Sequence, residues 1–470
     1  MNYGGVGILT TAVLAVVVGL VVLVAMVRYD LGPKGRLARG GQWLLATALG
    51  TGILAFAIKL GIIITIANAP ELMIDPLLTK LAPAPQETTR DPLFGLTASQ
   101  RFVWQPLPEP NKSAGAPIVP KTPATPYVWE ALPEQAPAPA DNPTTPEKVT
   151  LGEQLFFDPN LSRDRTLSCS SCHDVPGGTG VDGRPTSTGI NGQLGGRNAP
   201  TVWNAAFQEV LFWDGRAPSL EEQSKGPPVN PIEMGMESLA AVEERVRENP
   251  AYRQAFARAF GDDGPITIDR IAKAIAAYER TLITPDAPYD RFVRGDLDAL
   301  SPAQLRGMAL FQSLGCVLCH FGPNFSAASK FDTRAPMRAF PLYPTPFEQH
   351  YGLTRDTGAA LPESGRGSWR VPSLRNVALT GPWLHNGSVT ELKEVVRIMS
   401  SVQLGYTGRY LLWADKNKVL VKLDRPKLDE QSLDDIVAFL NALSSDRLVE
   451  RVRLSQARHK RETHKVAALR

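Results

Sequence analysis

A chain of 470 residues is too long for one small core, so several domains are expected. Apolar residues make up 43% and the formal net charge is +3, which gives no argument for nucleic acid as a partner. Only four cysteines are present, in two pairs, and each pair is followed at once by a histidine.

Residues 6–27 carry no charge and are long enough to cross a bilayer as a helix. A second apolar stretch, about 42–69, is interrupted only by Lys59. No basic segment precedes the first stretch and a second follows it, so a cleaved signal peptide fits poorly. Between them lie Arg28, Lys34, Arg36 and Arg39 against one acid, Asp30. The positive-inside rule places that loop in the cytoplasm and everything after residue 70 outside the membrane. Residues 1–69 are therefore expected to be a transmembrane hairpin of two helices.

Residues 70–146 hold 17 of the 40 prolines, which favours an extended, core-free spacer over 70–144. Its aromatics, Phe102, Trp104, Tyr127 and Trp129, are expected to pin part of it onto the globular region.

An internal repeat follows. One copy opens at Thr145-Pro146 and continues Gly152-x-x-Leu155-Phe156; the other opens at Ser301-Pro302 and continues Gly307-x-x-Leu310-Phe311. Both openings read as a helix N-cap followed by proline at the first helical position. Each copy closes with an apolar stripe at helical spacing: Ile268, Ile271, Ile275, Tyr278 and Leu282, then Leu433, Ile436, Val437, Leu440 and Leu443. Strand-like alternation is scarce. The expected fold is all-α, with two cytochrome c-like domains at 145–298 and 299–445 and long loops. Residues 446–470 carry eight Lys/Arg against three acids. Such a tail is ordinarily solvated; docking to lipid head groups or an acidic partner is the lesser reading.

The chemistry lies in Cys169-Ser-Ser-Cys172-His173 and Cys316-Val-Leu-Cys319-His320. In Cys-x-x-Cys-His the two thiols bond covalently to haem and the histidine is held beneath the ring as an iron ligand. A zinc site or redox dithiol would need two chance histidines at the same offset. Two covalent haem c groups are therefore expected, attached outside the cytoplasmic membrane. The sixth ligands divide the functions: an iron with two protein ligands carries electrons, and an open one binds peroxide. No histidine lies between His173 and His320. Met234 and Met236 are the local alternatives for the first haem; Met308, Met337 and Met399 are candidates for the second.

These residues resemble the bacterial di-haem cytochrome c peroxidases over about 147–445. The resemblance is carried by Gly180-Val-Asp-Gly183, Pro185-Thr-Ser187, Gly196-Arg-Asn198, Pro200-Thr-Val202, Phe212-Trp-Asp-Gly-Arg216, Glu222-Gln223, Glu233-Met234, Tyr278-Glu with Thr281-Leu, Leu374 to Thr380, and Ile398-Met399 before Gln403-Leu-Gly405. It implies His173 as proximal ligand of a low-potential, peroxidatic haem, with Gln223 and Glu233 as its distal pair and Glu233 as acid–base. It implies Trp213 as an electron route between the haems. His320 and Met399 would ligate the high-potential haem, with His385 near its propionates. Asn198 and the carbonyls of Thr380 and Pro382 would hold a calcium ion, an oxygen-only set suited to that metal. In many members a histidine in the loop after the first motif caps the peroxidatic iron. Here that position is Ile190, which cannot bind iron. His350, His459 and His464 read as surface or loop residues.

The leading reading is an enzyme reducing hydrogen peroxide to water with electrons from an external donor: a small cytochrome c, a cupredoxin or a membrane redox complex. The related di-haem oxidases that act on a protein substrate are a second reading, opposed by Met399, where they place a tyrosine. A membrane-tethered di-haem electron carrier is a third. Members of the resembled family are often dimers, so a homodimer is one option, and the expected location is the bacterial cytoplasmic membrane with the haem domains on its periplasmic face.

Overall fold

The computed structural model describes residues 101–103 and 127–468, apart from 262–263, 332–334, 344, 360–366, 415–418 and 426. The expected hairpin at 1–69 and most of the spacer lie outside the described residues. Among the described residues no helix is long and apolar enough to cross a membrane.

The first half carries α1 (Pro146–Phe156), α2 (Leu220–Ser224), α3 (Gly226–Val229), α4 (Leu239–Arg247), α5 (Pro250–Phe260) and α6 (Ile268–Glu279). A short α7 (Pro288–Val293) leads to the second half, with α8 (Pro302–Ser313), α9 (Pro346–His350), α10 (Leu392–Val402) and α11 (Glu430–Ala442). The chain closes with α12 (Asp446–Ala468).

The repeat has a direct physical basis. Thr145 caps α1 by accepting from the Lys148 N–H, and Ser301 with Gln304 forms a reciprocal capping box on α8. The opening helix then crosses the closing helix at a glycine. A Cβ on Gly152 would lie 1.9 Å from the Ala274 carbonyl oxygen, and one on Gly307 would lie 1.8 Å from that of Asp435. Only glycine lets α1 meet α6, and α8 meet α11, this closely. The apolar stripes face inward from these crossings. One core gathers Leu155, Phe156, Ile271, Ile275 and Tyr278; the other gathers Met308, Phe311, Leu433, Ile436 and Phe439. The first closing helix stops at Glu279, short of Leu282, which still reaches the core from the following turn.

Four features differ from the sequence-based expectation. The fold is helix-rich but not all-α, because three antiparallel two-stranded ribbons are built from its long loops. They pair β1 (Arg101–Val103) with β2 (Val128–Glu130), β3 (Met337–Phe340) with β4 (Gly367–Arg370), and β5 (Gly408–Ala414) with β6 (Val419–Arg425). Second, the end of the spacer is not core-free: Trp129, one of the aromatics expected to pin it, is 1% exposed at the centre of the second core. Third, Tyr289, Phe292 and Val293 of α7, placed in the first domain by the sequence reading, pack into that second core. Fourth, the basic tail is docked at its start. Leu448 of α12 is fully buried in the first core, whereas residues 456–461 are exposed on every side.

Candidate active site

Each Cys-x-x-Cys-His begins on a short 3₁₀ turn, Cys169–Ser171 and Cys316–Leu318. The turn closes when the His173 N–H donates to the Cys169 carbonyl at 3.0 Å and the His320 N–H donates to the Cys316 carbonyl at 2.9 Å. Both thiols and the imidazole are thereby gathered on one stretch of backbone. His173 Nδ1 lies 3.3 Å from the Gly180 carbonyl and His320 Nδ1 lies 3.1 Å from the Phe325 carbonyl. A carbonyl can only accept, so Nδ1 carries the proton and Nε2 is left to bind a metal. Burial lowers the pKa of both rings, that of His320 to about 4, so they stay neutral as ligands must.

The cysteines form no disulfide. Burial pushes the Cys169 and Cys316 thiols up to about 12, the opposite of a redox dithiol, whose reactivity needs a low thiol pKa. No cluster of three or more His, Cys, Asp or Glu among the described residues could hold a metal ion by itself. What the two motifs share is a cavity of about 560 Å³, lined by Cys169, Cys172, His173, Cys319, His320 and Met399. Paired thiols, a neutral ligand imidazole and a common apolar cavity fit two covalently attached haems.

The same cavity collects the other expected residues. Gln223, on α2, and Glu233, on the turn after α3, both line it. Glu233 Oε1 accepts from Asn230 Nδ2 at 2.8 Å. Burial raises the Glu233 pKa, while the charge of Arg216 and the Asn230 hydrogen bond pull against that rise. Trp213 Nε1 donates to the Asn198 carbonyl at 2.8 Å, and its ring stands edge-on, 6.4 Å away, to both Trp369 and His385. His385 stacks on Trp369 at 4.1 Å; burial lowers its pKa to about 4, and its Nε2 has no hydrogen-bond partner. Asn198 spends its amide nitrogen on the Arg184 and Pro185 carbonyls at 2.9 and 3.3 Å, which leaves its Oδ1 as an oxygen donor. Thr380 and Pro382 border the cavity with it.

Of the methionines considered for the second haem, Met399 on α10 lines the cavity. Met308 is buried in the second core, and Met337 packs towards Gly215. Met234 and Met236 belong to the first core, and Met234 also borders the cavity. Ile190 is 1% exposed and is not among the lining residues; its N–H donates to the Glu233 carbonyl at 2.9 Å and its Cδ1 packs over Gly235. His350 and His459 are exposed, and His464 lies where side chains are not described.

Three lining residues carried no role in the sequence reading. Burial pushes Glu279 up to about 8, and its Oε2 has no hydrogen-bond partner. Burial lowers Arg370 to about 10; its Nε donates to the Phe212 carbonyl at 2.9 Å and Nη1 to Gln208 Oε1 at 3.0 Å. The Arg216 guanidinium sits 3.5 Å from the Phe212 ring centroid. No local spacing marks them as a group, because Glu279 ends α6, Arg370 ends β4 and Arg216 lies in a loop, and only the fold brings these segments to one cavity.

The family model described as di-haem cytochrome c peroxidase matches residues 146–298. The cytochrome c551 peroxidase of Pseudomonas aeruginosa is 39% identical over 306 residues, covering 64% of this chain and 80% of that protein. The methylamine utilization protein MauG of Methylophilus methylotrophus is 35% identical over 318 residues, covering 66% and 87%. The crystal structure of a MauG-like protein associated with microbial copper homeostasis superposes with a TM-score of 0.56 at 31% identity, covering 68% of this chain and 97% of that one. With two haem-attachment motifs on one cavity and these relatives matching about two thirds of its length, the chain belongs to the di-haem cytochrome c peroxidase family and is a di-haem peroxidase.

Proposed function

We propose that the haem at Cys169, Cys172 and His173 reduces hydrogen peroxide to water, and that the haem at Cys316, Cys319, His320 and Met399 feeds it electrons. The observation that carries this reading is the placement of Glu233 and Gln223 on the wall of the cavity that also holds His173. When bound, haem supplies the iron that takes a peroxide oxygen and the redox couple that passes electrons. Ionised Glu233 takes the proton from one peroxide oxygen and returns it to the other, which leaves as water. Gln223 orients the peroxide by hydrogen bonding, and Asn230 holds the carboxylate in place. Trp213 bridges the space between the two sites. In all, one peroxide takes up two electrons and two protons and gives two waters.

The donor is external: a small cytochrome c, a cupredoxin or a membrane redox complex. Calcium at Asn198, Thr380 and Pro382 would tie the loop after the first motif to the second half. The hairpin at 1–69 would place the haem domains on the periplasmic face of the cytoplasmic membrane. MauG among the relatives favours a second reading, oxidation of a protein substrate, which Met399 opposes. Steady-state peroxide turnover by the as-isolated oxidised protein tests the main reading, and no turnover with any donor would overturn it. Protease added to spheroplasts tests the topology, and full protection of the haem domains would refute it.

A further inference from the structure

The two halves hold their proximal histidines by the same device made of different residues. The carbonyl that accepts from Nδ1 belongs to Gly180 in the first half and Phe325 in the second. Both residues lie in the left-handed region, at φ +65° and +50°. Glycine adopts that conformation freely, whereas an L-phenylalanine is strained there and must be held by its surroundings.

The Phe325 ring is fully buried, with Tyr289 at 4.9 Å, Phe311 and Phe439 at 6.0 Å, Trp129 at 6.1 Å, and the Arg375 guanidinium 5.2 Å over its face. Trp129 stands out because it comes from the chain ahead of both haem domains. The same stretch grips the turn a second time. Phe325 N–H donates to the Gly322 carbonyl at 3.1 Å, and Gly322 N–H donates to the Tyr127 hydroxyl oxygen at 2.8 Å. Tyr127 and Trp129 pack edge-on at 4.7 Å. The stretch is itself anchored: Tyr289 Oη donates to the Glu130 carbonyl, Leu132 N–H to Asp290 Oδ1, and Arg294 Nη2 to the Leu132 carbonyl, at 3.1, 3.0 and 2.7 Å.

We infer that residues 127–132 are a strap whose Tyr127 and Trp129 are positioning residues for the second haem, acting through Phe325 to aim the carbonyl that orients His320. This rests on reading His320 as a ligand of the electron-transfer haem. The bond from Nδ1–H to a fixed carbonyl makes the imidazole a stronger donor to iron and favours the ferric form. Loosening the strap weakens that bond and raises the second haem's potential alone.

The test is potentiometric titration of the two-haem, full-length protein. Met399→His first identifies the second haem as the one whose potential falls. Tyr127→Phe removes only the hydroxyl acceptor, and Trp129→Leu removes the aromatic backing. Each should raise the potential of that same haem and leave the other unchanged, with Trp129→Phe restoring most of the parental value. A folded Tyr127→Phe protein in which neither potential moves, or both move together, would overturn the strap's role. If Trp129→Leu does not hold both haems, Tyr127→Phe decides alone. If Met399→His moves neither potential, the ligand reading fails instead. A double Cys316→Ser, Cys319→Ser variant then identifies the second haem by its loss, and Tyr127→Phe is judged against it.

Discussion

Asn204 and Asn376, corresponding residues of the two halves, meet at one hydroxyl. Each lies at positive φ, 62° and 60°, and each donates its side-chain amide to Thr284 Oγ1, at 2.7 and 3.0 Å. Asn204 Oδ1 accepts from Thr284 N–H at 2.8 Å, and Asn376 Oδ1 accepts from Ser445 N–H at 3.0 Å. The two asparagines thus tie the turns after the closing helices, and through Thr284 they tie the halves to each other.

Thr284→Val keeps the shape and removes the shared acceptor. All three residues are fully buried, so two amide groups lose a partner without gaining water. At roughly 1–3 kcal/mol for each, the variant should lose about 2–6 kcal/mol in denaturant unfolding of the two-haem protein. Thr284→Ser, which keeps the hydroxyl, should lose much less. Equal stability of Val and parent would show that the shared bond contributes nothing.

Glu233→Gln should cut peroxide turnover by about 10²–10⁴-fold with both haems retained. The pH dependence follows from burial. Burial raises the Glu233 pKa, and the ionised form is the one that takes the first proton. Activity should therefore be present above that raised pKa and fall as pH drops through it, above the ordinary glutamate range. The Gln variant should lack this acid limb in its residual rate. A parental profile in the variant would assign the proton to another group.

Met399→His should lower the potential of the second haem and slow turnover with the natural donor, because an imidazole favours ferrous iron less than a thioether does. Spectroelectrochemistry reads the shift. An unchanged potential would remove Met399 as the ligand.

Ile190 bears on whether the resting enzyme is open. Its side chain packs over Gly235 and its N–H is tied to the Glu233 carbonyl, so the loop is held in this arrangement by apolar contact. Fully oxidised protein mixed with peroxide in stopped flow should react at once, without prior reduction. Ile190→His should become slow when fully oxidised and recover on half-reduction. A parent protein that stays low-spin and inert until an electron is added would refute this.

The haem chemistry was legible because it is local: two thiols and an imidazole must lie within five consecutive residues to grip one ring, so the motif survives in the primary sequence. The helix starts at Thr145 and Ser301, and the glycines at 152 and 307, were readable for a related reason, since capping and close crossing demand particular residue types at fixed offsets. For Trp129 the sequence suggested a contact with the globular region but not which core it would fill, and Leu448 was not readable in that way. One lies at the end of a proline-rich stretch and the other at the start of a basic one, and burial in a distant core is decided by what packs there. The ribbons were missed because each strand finds its partner strand across a loop. Gly180 and Phe325 show the division most clearly. A glycine at a left-handed position announces itself, but a phenylalanine reveals that position only once Trp129, Tyr289, Phe311 and Phe439 have closed around its ring.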